Sequence, residues 1–132
     1  QSRGLGDVYK RQGRDTADLL EPWLRERARG VITESVAVRA PELDVRPGRI
    51  SIRDQRSRWA SASASGALSF SWRLGLAPPF VLDSVVIQEL AHLHIRNHSS
   101  RFWALVERHA PRTPEARRWL RDHATELRAA LD

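Results

Sequence analysis

Gln88-Glu89-Leu90-Ala91-His92, with His98 six residues further on, is the stretch of this chain best equipped for chemistry. On a helix, positions 88 and 92 lie one turn apart on a shared face, and Glu89 neighbours His92 at i and i+3. His98 follows Asn97, a residue type that tolerates the left-handed conformation ending many helices. As a pattern the stretch reads Q-E-x-x-H, five residues, H. With His at position 88, two imidazoles at i and i+4 would grip one zinc ion. A third would reach in after a turn, and the fourth position would stay open for water. The glutamate beside the first ligand would then take the water's proton. The same residues also have a plain structural reading. Glu89 and His92 can be a solvated pair, and His98 a cation that favours a helix C-terminus.

The spacing of the third ligand equals that of the metzincins. Ile95 replaces that pattern's glycine, and a chain without methionine cannot form its Met-turn, so this reading is rejected. The other histidines are weaker. His94, two residues from His92, points off its face and serves the site only if the helix unwinds. His109 and His123 sit among charged residues and are expected to face solvent. Trp23, Trp72, Trp103 and Trp119 are expected in the core. Trp59, beside Arg58 on a predicted strand, is the tryptophan nearest a site role.

The chain has 132 residues, enough for one domain with one core. Apolar residues make up 41% and charged residues 29%, which fits a soluble globular chain and argues against disorder. No cysteine is present, so disulfides, thiolate-bound zinc and thiol nucleophiles are excluded. No run approaches the roughly 18 apolar residues of a membrane span. The N-terminus has no apolar signal-peptide region, and a cytoplasmic location is the expectation. Residues 1–12, QSRGLGDVYKRQ, hold the sole lysine and sole tyrosine. They read as an adaptor- or vector-derived extension, and residues 13–132 as the domain, its authentic start missing. The formal charge of +6 falls to +4 without that stretch, which carries Arg3, Lys10 and Arg11 against Asp7. An arginine-rich chain of modest positive charge is compatible with nucleic-acid contact, or with nothing more than a GC-rich coding sequence.

The site needs elements to hold it. Pro22 suits the first turn of a helix, and Leu24, Ala28, Val31, Ile32 and Ser35 follow a helical period. This predicts a helix over 22–40, ended by Pro41. Alternation and turn signals predict strands over 49–54, 58–63 and 67–72, with Ser65-Gly66 as the turn between the last two. They are expected to form an antiparallel sheet. Pro78-Pro79 opens a helix running to about Arg96, and helices over 100–109 and 113–131 follow. Thr113-Pro114-Glu115 reads as an N-cap, a first-turn proline and a first-turn acid. The fold class is α+β.

Three blocks resemble the YgjP-like metallopeptidase family, zincin-type metal-dependent hydrolases, and more distantly the SprT-like and WLM proteases. The first runs from Ile52 to Ser63 around Arg58-Trp59-Ala60-Ser61. The second is Leu68-Ser69-Phe70-Ser71-Trp72-Arg73-Leu74 with Pro78-Pro79 and Leu82-Asp83-Ser84-Val85-Val86. The third is Gln88-Glu89-Leu90-Ala91-His92-Leu93 with Asn97-His98-Ser99 and Phe102-Trp103, where the family reads H-E-L-x-H-L and N-H-S-x-x-F-W. The resemblance implies a zincin-like domain with His92 and His98 as zinc ligands and Glu89 as catalytic base. It implies a peptide or protein substrate, with strand 67–71 offering its edge to an extended chain and Arg58 and Trp59 near the substrate. Nucleotide phosphoanhydride hydrolysis would use the same metal logic, and the SprT-like relatives suggest nucleic-acid association. Gln88 departs from the family at its first zinc-binding histidine and offers only a neutral amide oxygen. Ala60, Ala62 and Ser84 replace the family's Gly, Cys and Tyr. Two strong ligands hold zinc less well than three, so a degenerate copy acting as a binding module is the companion expectation.

Overall fold

The computed structural model describes residues 16–132 in full, and 2–15 only as part of the first helix. The reading of residues 1–12 as an extension therefore lies outside the fully described residues.

Helix α1 (Ser2–Glu42) turns one apolar stripe inward: Ala28, Ile32, Val36 and Ala40, spaced at i+4 and all buried. Pro22 and Pro41 lie inside it rather than at its ends, contrary to the predicted bounds. Each proline leaves one carbonyl without its helical donor, and Asp18 and Ala37, which own those carbonyls, are exposed residues. The helix ends after Glu42. Asp44 adopts φ 54°, and the Val45 N–H donates to the Ala40 carbonyl at 3.1 Å, closing a Schellman-type turn.

Three short strands follow: β1 (Ile50–Arg53), β2 (Ala60–Ala62) and β3 (Leu68–Ser71). The sheet order is β1-β3-β2, with β1 parallel and β2 antiparallel to β3. The sheet is mixed, which corrects the antiparallel expectation. Residues 54–59 carry the chain across the width of one strand, and the β2–β3 turn then folds β3 back into that gap. The turn holds because the Ser63 hydroxyl accepts from the Ala67 N–H and Gly66 takes φ +94°, which a side chain rarely adopts. β3 is central, so it has no edge to offer a peptide, contrary to the expectation for strand 67–71. The free edge beside the site belongs to β2.

A 3₁₀ turn, η1 (Trp72–Leu76), leads to helix α2 (Pro79–Ala91), the centre of the core. Val81, Leu82, Val85, Val86, Ile87, Leu90 and Ala91 of α2 are all buried, and it packs on α1, β2, α3 (Ser100–His109) and α4 (Thr113–Ala129). Gly75 in η1 packs closely against α1: a Cβ there would stand 3.1 Å from the Ala28 methyl. Thr113 is not the cap of α4. Arg112 occupies that position, and the buried Thr113 hydroxyl donates instead to the Ala110 carbonyl at 2.7 Å. Trp72 is fully buried and Trp103 and Trp119 half-buried, but Trp23 is 60% exposed on the outer face of α1, not in the core. His109 and His123 are half-buried rather than solvent-facing. His123 stacks on Trp119 at 4.2 Å and its Nδ1 lies 2.9 Å from the Trp119 carbonyl.

Arg73 is the one large buried cation among the described residues, at 2% exposure. Its guanidinium donates to Asp54 at 3.0 Å and to the carbonyls of Leu127 and Ala130, tying the end of α4 to the sheet. The Arg73 hydrogen bond holds the Asp54 carboxyl below its ordinary range. A folded-state value depressed in this way contributes stability that is present at neutral pH and is lost as pH falls from about 4 through the folded value. We expect Asp54→Asn to cost about 1–3 kcal/mol at pH 7 and to flatten the dependence of stability on pH below about 4. Urea unfolding of both chains at neutral and acidic pH checks both points.

Candidate metal and catalytic site

The last two turns of α2 and the loop after it carry the site. Helical geometry persists through His92, whose N–H donates to the Gln88 carbonyl at 3.2 Å, so residues 88 and 92 do share a face. The helix itself stops at Ala91, five residues before the predicted end at Arg96. The reason is local. The N–H groups of Leu93 and His94 bond three residues back in a tightening turn, and the His92 imidazole meets the Ile95 carbonyl at 3.0 Å, which draws the chain round. The loop then brings His98 back. Its Nε2 lies 3.2 Å from Nε2 of His92.

That separation is informative. Two imidazole nitrogens on one tetrahedral ion, each about 2.0–2.1 Å from it, stand about 3.3 Å apart. The His92 Nδ1–H spends its proton on the Ile95 carbonyl, which leaves Nε2 as the bare donor, the usual tautomer arrangement of a ligating histidine. Burial pushes the His92 pKa down, which favours that neutral ring. Phe102, fully buried, stacks on His92 at 4.2 Å, and His98 sits edge-on to His92 at 4.7 Å and 5.9 Å from Trp103. The two rings are thus aimed by aromatic packing. The same separation also serves a hydrogen bond between a protonated and a bare Nε2, so the pair can stand without an ion.

Gln88 is held differently. The Thr113 hydroxyl gives its proton to Ala110, so Ser84 donates to Thr113 at 2.8 Å, and Ser84 Oγ in turn accepts from the Gln88 amide nitrogen at 3.2 Å. This relay fixes the amide: nitrogen toward Ser84, Oε1 with no donor among the described residues. Among the described residues no three His, Cys, Asp or Glu side chains come together as a metal cluster. The donor set is therefore two imidazoles with metal spacing and one neutral amide oxygen one turn away.

Glu89 is half-buried and, among the described residues, has no hydrogen-bond or salt-bridge partner. Burial raises its pKa to about 7, opposed by the fields of Arg58 and Arg96. A carboxyl poised there can take and return a proton near neutral pH. Glu89 opens onto a cleft of about 340 Å³ lined also by Trp59, Ala60, Gln88, Arg117 and Arg121. Trp59 lies under the Arg128 guanidinium at 4.0 Å, while Arg58 is exposed and does not line the cleft. A separate hollow of about 590 Å³ between α1 and α2 contains none of these groups. His94 lies past the helix end and turns away from the site, with Nε2 at 2.6 Å from the Leu43 carbonyl. The roles of Ser84 and Thr113, and the cleft-lining arginines of α4, were not read from the sequence. Only Ser84, one turn before Gln88, left a local signal.

A central helix that ends just before His92, with a small mixed sheet and further helices packed on it, is an α+β fold similar to that of a metallopeptidase. The chain belongs to the YgjP-like metallopeptidase family: the family's model, YgjP-like, metallopeptidase domain, matches residues 3–123. A search of solved structures finds the crystal structure of the metallopeptidase zymogen of Pyrococcus abyssi abylysin. It superposes with a TM-score of 0.62 at 26% identity, over 69% of this chain and 93% of that one. Among curated proteins no match was found.

Proposed function

We propose that this chain is a zinc-dependent peptidase in which His92 and His98 hold the metal, Gln88 offers a weak third oxygen, and Glu89 is the base. The observation that carries the reading is the 3.2 Å convergence of the two Nε2 atoms, with Glu89 on the same helix turn and facing a cleft. When bound, zinc supplies Lewis acidity toward a water and a peptide carbonyl. Glu89 accepts the proton of the attacking water and returns it to the departing amine nitrogen.

The substrate strand has a place to lie. In the β2–β3 pair, the Ser71 N–H bonds the Trp59 carbonyl and the Ser63 N–H bonds the Ala67 carbonyl. By antiparallel alternation Ser61 also faces β3, and the backbone groups of Ala60 and Ala62 point to the open edge. Arg96 donates to the Ala62 carbonyl at 2.9 Å and closes one end of that edge, leaving Ala60 beside Glu89. An extended peptide would pair there. The test is hydrolysis of an unstructured protein or mixed peptide pool. Cleavage is expected with stoichiometric zinc, to be abolished by a chelator and restored by zinc.

A second reading rests on Gln88. An amide oxygen in place of a third imidazole favours a chain that binds extended peptides at this edge without cutting them. Peptide binding without cleavage at any zinc concentration decides for it.

A further inference from the structure

The cleft beside Glu89 is cationic on the side formed by α4. Arg117 and Arg121 line it and also line an adjoining hollow of about 400 Å³ with Arg118, so a trough bearing arginines runs from Glu89 along that helix. These charges lack ordinary partners. Arg117 lies over the Trp103 ring at 4.2 Å and, among the described residues, has no carboxylate. Among the described residues Arg121 meets only the neighbouring Asp122, at 3.8 Å with both groups largely exposed, a weak pair. The other nearby acid, Glu115, is already gripped by Arg112 through two bonds of 2.9 Å. Arg58 and Arg96 do not line the cleft but add positive field at Glu89, which is the one acid lining the cleft among the described residues.

A peptide lying along the β2 edge presents alternate side chains to its two faces. Those turned toward α4 would meet Arg117 and Arg121, which share the cleft with Ala60 of β2. We infer that this trough selects an aspartate or glutamate side chain of the substrate at the position facing α4, with Arg117 and Arg121 as the residues that determine the preference. The inference rests on the peptide-binding reading of the β2 edge, not on turnover.

The test is fluorescence anisotropy with the full chain in EDTA, so that binding is read without cleavage. The probes are labelled alanine-rich peptides carrying one Glu, Gln or Lys at successive positions. Glu is expected to bind about fivefold tighter than Gln at one position, and Lys more weakly than Gln. The preference weakens steeply with salt. Arg117→Glu/Arg121→Glu reverses it, and Arg117→Gln/Arg121→Gln removes it, with thermal melts verifying the fold of both variants. Equal binding of Glu and Gln peptides at every position overturns the proposal. So does tighter binding of a single-stranded oligonucleotide with no positional peptide preference, which would assign the trough to nucleic acid. If the preference appears but no peptide is ever cleaved with zinc, the peptidase reading fails and the selectivity stands. Cleavage indifferent to acidic residues has the opposite meaning.

Discussion

Replacing Gln88 by histidine is expected to tighten zinc binding by about two to three orders of magnitude. Structural four-ligand zinc sites release about 10–16 kcal/mol on binding, so one strong ligand contributes on the order of 3–4 kcal/mol. Each step of about 1.4 kcal/mol is tenfold in affinity. In this chain the amide nitrogen of Gln88 is committed to Ser84, which in turn bonds Thr113, and only a neutral oxygen remains for an ion. Position 88 is already one turn from His92 on the same face, so an imidazole there completes a three-histidine set without moving the backbone. Competition with a chromophoric chelator measures both affinities. Equal affinities would mean that position 88 does not face the ion held by His92 and His98.

Glu89→Gln is expected to lower peptide hydrolysis by about 10²–10⁴-fold, the usual size of a general acid–base contribution. The isosteric amide keeps the volume of a half-buried side chain that no other described residue grips, so folding and zinc affinity should change little. The effect is therefore expected in kcat at constant metal occupancy. If the parent is slow because Gln88 holds zinc poorly, the same ratio is expected between Gln88→His and Gln88→His/Glu89→Gln, at higher absolute rates. A variant that loses zinc together with activity would make Glu89 a ligand rather than a base.

What the sequence revealed and what it hid differ for physical reasons. The relation of Gln88, Glu89 and His92 was legible because helical spacing alone sets it. The expected helix stop at Asn97 is overturned: Asn97 does not take the left-handed conformation, and the helix ends at Ala91, where the His92 ring meets the Ile95 carbonyl, a contact no local signal encodes. The strands were legible as alternating runs, while their order was not. β3 enters between β1 and β2 through a pairing choice that no short-range signal encodes. Pro22 and Pro41 misled because proline is a statistical marker of helix ends, and here α1 runs past Pro22 and one residue past Pro41, the carbonyls that lose their donors belonging to exposed residues. The relay from Gln88 through Ser84 to Thr113 joins α2 to α4 across 29 positions, and the α4 arginines reach the cleft only through tertiary packing. Neither has a periodic signature.

His92 and His98 are the proposed metal-binding pair, their Nε2 atoms 3.2 Å apart. The most direct test of that pairing is zinc stoichiometry by equilibrium dialysis on the parent chain, Gln88→His and His92→Ala/His98→Ala. One zinc per chain is expected for the first two, more weakly held by the parent, and none for the third with its fold intact. Zinc retained by the double alanine variant, or absent from both others, would contradict the proposal.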